Sequence, residues 1–271
     1  MALGQGRAVT AGPAPSDTAR KTGVFDLHAH LAFYDDPAAA ASKLAAAGVG
    51  ALCATVTPGE FERAERELAG ADNVRAGVGL HPWWLADGRC DEADARHAAE
   101  LAASMRYVAE VGLDFSHGRD ASAALQVSAL DAVLDACAGG GHVLSLHAVA
   151  SADAVLDLLE RHGTCERNDV IVHWFSGSGE QLTRARRMGC LFSVNAFGLR
   201  TRRGRSYATQ IPAAQLLLET DLPGEGAHAL EWPPDRLAGR LRETLGELCE
   251  LRGEDVSGVI AATSRRLLSL Q

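Results

Sequence analysis

The feature that most constrains the fold is an eightfold alternation of short apolar β-type runs with Ala- and Leu-rich helical stretches, beginning at Val24. We predict strands at Val24–His28, Gly50–Val56, Val74–Gly79, Tyr107–Gly112, Val143–His147, Val170–His173, Cys190–Val194 and Leu216–Glu219. We predict helices at Pro37–Ala47, Pro58–Ala69, Asp91–Met105, Ala121–Ala138, Ser151–His162, Glu180–Met188, Pro234–Leu251 and Val259–Ser269. Such alternation implies parallel strands joined by right-handed crossovers.

Eight such units in about 250 residues match the size of a closed (β/α)8 barrel, the TIM barrel. The fold class we predict is therefore α/β, a (β/α)8 TIM barrel. The alternative is an open doubly wound sheet, which we disfavour because no Gly-x-Gly-x-x-Gly follows the first strand. The longest irregular segment, Asn195–Ile211, follows the seventh strand, where a substrate loop is expected.

The composition of the first 23 residues suggests a tail that precedes one folded unit. Residues 1–23 are rich in Ala, Gly, Pro, Ser and Thr and lack an apolar signal core, so we predict a disordered tail. Residues 24–271 are predicted to form a single barrel domain. No apolar run approaches the ~20 residues that a membrane span needs. We therefore expect a cytoplasmic protein with no membrane partner.

Charge and cysteine spacing exclude some classes of protein. The formal net charge of −9 argues against broad, non-specific coating of DNA, so any contact with nucleic acid must be local. The six cysteines are scattered without a Cys-x-x-Cys pair, which supports neither a zinc ribbon nor a disulfide framework.

Ionisable residues recur at the carboxyl ends of the predicted strands. They are His28, His30, His81, Glu110, His147, His173 and Asp221. In His28-Ala29-His30, residues i and i+2 of a strand point to the same side, so both imidazoles can bind one cation. Each residue alone has an ordinary structural explanation. In a barrel, however, all these strand ends meet at the catalytic face.

Four histidines and two carboxylates suffice for two divalent ions, which could be Zn, Mn or Mg. We assign His28, His30 and Asp221 to one ion, His147 and His173 to the other, and Glu110 to the bridge between them. The two cations outweigh the two carboxylates, which suits an anionic substrate such as a phosphodiester. Asp221 is the predicted general base.

Two further observations concern the bridge and its surroundings. Asp26, two residues before His28, is predicted to orient a ligand by hydrogen bonding. Lysine occurs only at Lys21 and Lys43, so a carboxylated lysine on strand four cannot bridge the ions. Glu110 must therefore take that position.

These motifs resemble the TatD family of metal-dependent deoxyribonucleases, within the amidohydrolase-type barrel superfamily. The matching segments are Asp26–His30, Gly79–Pro82, Glu110–Asp114, Leu146–His147, His173–Gly177 and Glu219–Pro223. The resemblance implies two divalent ions at the matching positions and hydrolysis of DNA phosphodiesters. It also implies that His81 contacts the phosphate and takes part in catalysis.

The chain departs from the family pattern at three positions. Val149 stands where the family usually has Arg, Gly224 where it has a bulky residue, and Trp174 where it has Cys. The segments Val172–Ser178 and Gly189–Asn195 are similar to the TatD-like nuclease of the Qat anti-phage defence system. That likeness implies partner proteins from a defence operon.

Two features are predicted to replace the missing arginine. Arg200, Arg202, Arg203 and Arg205, here called the arginine cluster, are expected to hold the nucleic-acid backbone. A solvated charged loop is the alternative. Trp83, beside Trp84, is expected to stack on bases of single-stranded DNA or DNA ends. The alternative is that one or both of these tryptophans pack under the loop after strand three.

Two other functions remain open. One is a related barrel hydrolase that acts on a small phosphoester or ester. The other is a metal-binding, non-catalytic subunit of a defence complex.

Overall fold

The computed structural model describes residues 23–270, and the predicted disordered tail lies outside them apart from Gly23. The strands are β1 Val24–Ala29, β2 Val49–Ala54, β3 Val74–Leu80, β4 Tyr107–Asp114, β5 Val143–Val149, β6 Asp169–His173, β7 Leu191–Val194 and β8 Leu216–Leu218. They follow one another around a single sheet in chain order, and each of the seven neighbouring pairs is parallel.

The sheet curls back on itself just beyond the ends of β8 and β1. The N–H of Asp221 donates to the carbonyl oxygen of His28 at 2.9 Å, and the N–H of His30 donates to that of Leu222 at 2.9 Å. The predicted (β/α)8 barrel is thus confirmed, and the open doubly wound sheet is excluded. Across residues 23–270, no helix is long and apolar enough to cross a bilayer.

Helices follow the strands. They are α1 Pro37–Ala46, α2 Pro58–Glu67, α3 Pro82–Ala86, α4 Glu92–Ala102, α5 Ala123–Ala136, α6 Ala152–His162, α7 Thr164–Arg167, α8 Gly179–Arg187, α9 Ala196–Leu199, α10 Arg202–Gln210, α11 His228–Glu231, α12 Pro234–Arg252 and α13 Ser257–Leu268. Short 3-10 turns occupy Leu31–Phe33, Asp120–Ser122 and Ala213–Gln215.

Local sequence explains where several helices begin. The Asp36 carboxylate accepts a hydrogen bond from the Ala39 N–H at 2.8 Å, and Pro37 then occupies the first turn of α1. Thr57 and Pro58 begin α2 in the same way. A side-chain oxygen satisfies an unpaired N–H of the first turn, while proline has no N–H to lose there.

Two apolar cores stabilise the barrel. The larger lies between the strands and the surrounding helices and includes Cys53, Phe61 and Leu130. The smaller takes the alternate positions of the same strands, including Leu52 and Ile171, and therefore fills the barrel interior. Leu267 and Leu268 of α13 belong to this interior core, so the polar site is confined to the carboxyl end of the barrel.

The segment 195–211 differs from the prediction, because it is mostly helical. The Asn195 side chain accepts from the Gly198 N–H at 2.7 Å and caps α9, and Thr201 accepts from the Gly204 N–H at 2.9 Å and caps α10. These N-caps were visible in the sequence. Gly198 and Gly204, which disfavour helix, hid the two helices.

Candidate metal centre and its cavity

The structure brings the six predicted metal ligands together at the carboxyl end of the barrel. Three overlapping groups have potential ligand atoms within 4.8 Å of one another: His28, Glu110 and His173; His28, His30 and Asp221; and His81, Glu110 and His147. Four strands, β1, β4, β5 and β6, contribute to them, together with the segments that follow β1, β3 and β8. The site is therefore a product of the closed barrel and not of any local motif.

Glu110 of β4 lies at the centre, with only 1% of its surface exposed. Its Oε1 atom is 2.7 Å from both His147 Nδ1 and His173 Nε2, and its Oε2 atom is 3.3 Å from His28 Nε2. Burial alone raises the pKa of Glu110, but His81, His173 and His28 together hold that pKa well below its usual range. Glu110 is thus a carboxylate with one oxygen facing each set of histidines.

His28 and Glu110 show why these residues fit a cation. His28 Nε2 and Glu110 Oε2 face each other at 3.3 Å, are both buried, and have no hydrogen-bond partner among residues 23–270. Buried polar atoms are rarely left unpaired, because each unmade bond costs about 1–3 kcal/mol. Burial also lowers the pKa of His28, which favours the neutral imidazole that metals bind. A divalent ion would satisfy both atoms.

His30 and Asp221 form the outer part of the same group. The His30 Nδ1 atom lies 3.2 Å from the carbonyl oxygen of Ala54, which can only accept, so Nδ1 carries the proton. His30 Nε2 then faces Asp221 Oδ1 at 3.3 Å. Asp221 adopts the left-handed conformation, with φ of 57°, which is uncommon for a residue other than glycine. Its backbone is held there by the bond to His28 that closes the barrel.

His147 and His173, the ligands predicted for the second ion, each have an acidic neighbour on the side away from Glu110. His147 Nε2 is 3.2 Å from Asp114 Oδ2, and His173 Nδ1 is 3.7 Å from Glu219 Oε2. Burial lowers the pKa of His173, but Glu110 and Glu219 raise it well above its usual value. Asp114 and Glu219 lie in the motifs that we singled out, yet the sequence analysis gave neither a role.

His81 differs from His30 in its tautomer. The backbone N–H of Trp83 donates to His81 Nδ1 at 3.1 Å, so in the neutral ring the proton is on Nε2. That Nε2–H faces Glu110 Oε1 at 3.3 Å. Burial lowers the pKa of His81 to about 4, so the ring is neutral at pH 7. His81 is therefore a hydrogen-bond donor aimed into the site.

Asp26 bonds the predicted ligand residue His28 through its backbone and not through its imidazole. Strand β1 holds one extra residue relative to β2 between Asp26 and Ala29, so regular side-to-side alternation does not hold from Asp26 to His28. The Asp26 carboxylate accepts from the His28 backbone N–H at 3.2 Å and from the Thr220 hydroxyl at 2.6 Å. Asp26 thus links β1 to the segment after β8. The His28 ring is instead held through Nδ1 by Ser145 Oγ, at 2.7 Å.

A cavity of about 710 Å³ opens over the metal centre. Metal-centre residues form its floor, and its walls are largely aromatic, with Phe33, Trp83, Trp84 and Trp174. Val149 and Gly224, two of the positions that depart from the family pattern, also line it.

The two neighbouring tryptophans have different roles in the structure. Trp83 is 38% exposed at the cavity, its Nε1–H donates to Asp114 Oδ2 at 2.6 Å, and the Arg119 guanidinium lies 4.2 Å above its ring. Trp84 is buried and packs against Arg89 at 3.7 Å. Trp83 is the one that can meet a ligand, as its predicted role requires.

The arginine cluster lies on α10 and in the turn between α9 and α10, outside the lining of the cavity. All four side chains are exposed. Arg205 forms an ion pair with Glu247 at 2.7 Å, and Arg203 donates to the Ser176 carbonyl oxygen at 2.9 Å. Ser176 lines the cavity, so the arginine cluster borders the rim on the side of β6 and β7.

Comparison with known proteins agrees with this geometry. Residues 25–270 match the family model for TatD related DNase. An Escherichia coli K12 protein described as "Uncharacterized metal-dependent hydrolase YjjV" is 31% identical over 251 residues, covering 88% of this chain and 93% of the relative. Its crystal structure superposes with a TM-score of 0.76 at 26% identity, covering 92% of this chain and 98% of that one.

A more distant relative carries a more specific name. The "3'-5' ssDNA/RNA exonuclease TatD" of Pantoea ananatis is 28% identical over 208 residues, covering 74% of this chain and 79% of the relative. The family match spans both groups of the metal centre and nearly all of the barrel. The chain therefore belongs to the TatD family and is a metal-dependent hydrolase that acts on ester bonds.

Proposed function

We propose that this chain is a nuclease that uses two divalent ions to hydrolyse phosphodiesters of single-stranded DNA or frayed DNA ends. The unpaired His28 Nε2 and Glu110 Oε2 at the centre of the cluster are the observation that carries the proposal. The name of the Pantoea relative supports a single-stranded substrate and adds RNA as a second polymer to test.

The proposed ligands are those predicted from the sequence, and the short contacts of Glu110 with His28, His147 and His173 support them. His28, His30 and Asp221 would hold one ion, and His147 and His173 would hold the other, with Glu110 between them. Bound divalent ions would polarise the phosphoryl oxygen and lower the pKa of the attacking water. The imidazole and carboxylate ligands suit Zn, Mn or Mg.

Asp221 is the proposed general base. Its side chain is 19% exposed, so it reaches the cavity, where a water molecule can approach. Burial alone raises the pKa of Asp221, but His30, His173 and His28 hold that pKa below its usual range. The carboxylate is therefore ionised at neutral pH and can accept a proton from water.

His81 is the proposed catalytic donor to the phosphate. Its Nε2–H points into the site and its ring is neutral at pH 7, so it can donate to a phosphoryl oxygen. Donors placed where negative charge develops lower the barrier to reaction. Trp83 and the arginine cluster would then hold the bases and the backbone beyond the scissile bond.

The test combines metal analysis with strand cleavage. Purified protein would be assayed for bound metal and incubated with 5′- or 3′-labelled single-stranded DNA and RNA, with Mg, Mn or Zn added. We expect about two equivalents of metal in the loaded protein and cleavage that is lost in Glu110→Gln. Glu62→Gln, on the exposed face of α2, is the matched control.

A second candidate is hydrolysis of a small phosphoester. The observation in its favour is that the arginine cluster does not line the cavity, so a small diester could enter without it. Rapid turnover of bis-p-nitrophenyl phosphate without cleavage of any strand would favour this reading. Metal binding without turnover of either substrate would favour the non-catalytic subunit.

The cellular setting remains a prediction. The likeness to the Qat nuclease predicts a role in anti-phage defence with partner proteins from the same operon. Location in the cytoplasm and a single barrel domain over residues 24–271 are also predictions. Plasmid-borne expression with and without neighbouring genes, followed by phage challenge, would test the defence role.

A further inference from the structure

A second aromatic wall of the cavity comes from Trp174, which directly follows the predicted metal ligand His173. Its side chain is 40% exposed and lines the cavity. Its backbone is in the left-handed region, with φ of 39°, which is rare for a bulky residue. Strained backbone of this kind concentrates at ligand-binding positions. An exposed tryptophan held in this way at a cavity wall suggests a ligand that uses its ring.

Trp174 is the inner end of a stack that leads outward to the arginine cluster. Its ring lies nearly parallel to that of Phe197, with centroids 5.8 Å apart and an angle of 22° between the planes. The Arg200 guanidinium lies over the Phe197 ring, 5.4 Å from its centroid. Phe197 belongs to α9 and Arg200 follows it, so one short segment supports the ring and supplies a cation.

Two hydrogen bonds from α10 hold the segment beside the stack in place. Arg203 donates to the carbonyl oxygen of Ser176 at 2.9 Å, and the Tyr207 hydroxyl donates to that of Gly177 at 2.8 Å. Both bonds tie α10 to the segment that follows Trp174. The platform is therefore preorganised, and a ligand would not have to order it on binding.

Trp174 and Trp83 face the cavity from well-separated parts of the barrel. Trp83 follows β3 and Trp174 follows β6, and these strands are three positions apart in a ring of eight. Residues of the metal centre lie between them. A single strand of nucleic acid that placed one phosphate over the metal centre could thus present bases to both Trp83 and Trp174.

We propose that Trp174, backed by Phe197, is a nucleobase-stacking subsite, and that Arg200 holds the backbone phosphate beyond it. This inference rests on the proposed nuclease function. It adds that the single-stranded nucleic acid must carry an intact base next to the scissile bond. Every base has a flat π-face, so such a platform accepts any sequence. Bases in a duplex are already stacked on their neighbours and cannot use it.

The experiment compares strands with and without bases. Binding of a 12-nucleotide oligo-dA and of an abasic strand of the same length would be measured by fluorescence anisotropy with the metal-loaded protein. Replacing the ring in Trp174→Ala should raise the Kd for oligo-dA about five- to hundredfold. The Kd for the abasic strand should change much less, and Trp174→Phe should restore most of the affinity for oligo-dA.

Controls keep the two proposals distinct. Arg200→Ala should weaken both strands alike, because it removes a phosphate contact, while Arg187→Ala on the exposed end of α8 should weaken neither. Melting curves would show that each variant is folded. Equal losses for both strands in Trp174→Ala, or no loss, would overturn the stacking subsite. If the unaltered protein cleaves no strand with any metal, the proposed function itself fails.

Discussion

In this site, the hydrogen-bond partner of one ring nitrogen determines whether the other nitrogen of the same imidazole can bind a metal or donate a hydrogen bond. Ser145 Oγ lies against His28 Nδ1, and the carbonyl oxygen of Ala54 lies against His30 Nδ1. Both arrangements allow Nε2 to offer a lone pair to a metal. The backbone N–H of Trp83 imposes the opposite tautomer on His81. The sequence shows only that histidines occur at strand ends, so this division between ligands and a donor needed the structure.

Replacing Ser145 tests how much the orientation of His28 matters. Ser145→Ala removes the hydrogen bond to Nδ1, so His28 is free to turn or to change tautomer. Such supporting contacts typically change metal affinity about 10- to 100-fold. We expect a weakening in that range for one of the two ions, measured by competition with a chelator.

The matched control for Ser145→Ala is Ser151→Ala. Ser151 is also buried and donates to the Leu113 carbonyl oxygen at 2.7 Å, but it has no contact with the metal centre. Its replacement should lower thermal stability without changing metal affinity. Equal metal affinity in Ser145→Ala and the unaltered protein would contradict the positioning role.

Replacing His81 tests whether this residue acts as a hydrogen-bond donor or as a metal ligand. His81→Ala should leave both metal equivalents in place, because its Nε2 carries a proton and points to Glu110. The rate of strand cleavage should fall about 100- to 1,000-fold, the usual cost of removing one donor to a developing charge. Elemental analysis and single-turnover kinetics give the two readouts. A variant that loses one ion would instead make His81 a ligand.

The contacts of α10 distinguish the members of the arginine cluster from one another. Arg205 is neutralised by Glu247, and Arg203 is bound to a backbone carbonyl, whereas Arg202 has no ion-pair partner among residues 23–270. The double variant Arg202→Glu and Arg203→Glu should raise the KM for single-stranded DNA. Its affinity should also depend less steeply on salt, by about one unit of the log–log slope per lost phosphate contact.

A charge reversal elsewhere provides the comparison for the arginine cluster. Arg187→Glu, on the exposed end of α8, changes the net charge of the protein in the same direction without touching the cavity rim. It should leave the salt dependence of binding nearly unchanged. Identical KM and salt slopes in the double variant and the unaltered protein would mean that the arginine cluster is a solvated surface.

The order of elements was predictable, whereas their detailed contacts were not. Apolar β-type runs and helix-forming stretches placed all eight strands, because parallel strands buried on both faces are continuously apolar. Polar residues at the strand ends then predicted the site. The extra residue in β1 reversed the expected direction of Asp26, and it has no signature in the sequence.

Contacts between distant segments were the second thing that the sequence could not show. Ser145 contacts His28 across 117 residues, and Trp83 contacts Asp114 across 31 residues. Such pairs depend on the register between strands and on the direction of each side chain. Asp114 and Glu219 were visible in the motifs, but only the structure shows that Asp114 bonds the His147 ring and that Glu219 places a carboxylate 3.7 Å from the His173 ring.

The whole molecule separates an apolar half from an ionisable half. The barrel interior is filled by aliphatic and aromatic residues up to the level of Leu27 and Ala54, and the end beyond them holds five imidazoles around Glu110. Without an ion, buried groups in this region lack partners, as His28 Nε2 and Glu110 Oε2 show. Metal binding and stability of the fold should therefore be coupled.

This coupling predicts that metal removal lowers the melting temperature. Binding to the folded state alone contributes about 2.7 kcal/mol when the free metal is 100 times its Kd. For a chain of this size, each kcal/mol shifts Tm by about 2–4 °C. We therefore expect calorimetry to show a Tm roughly 5–10 °C higher with saturating metal than after chelation.

Glu110→Gln gives this thermal prediction its control, because the amide keeps the shape of the side chain and loses the charge that bridges the two ligand groups. The difference in Tm between metal-loaded and chelated samples should shrink to a small fraction in this variant, while Glu62→Gln should keep it in full. The same Tm for the unaltered protein with and without metal would show that the barrel closes over this cluster without help from a cation. The two unpaired atoms would then have to be satisfied by water, and the metal centre would lose its structural support.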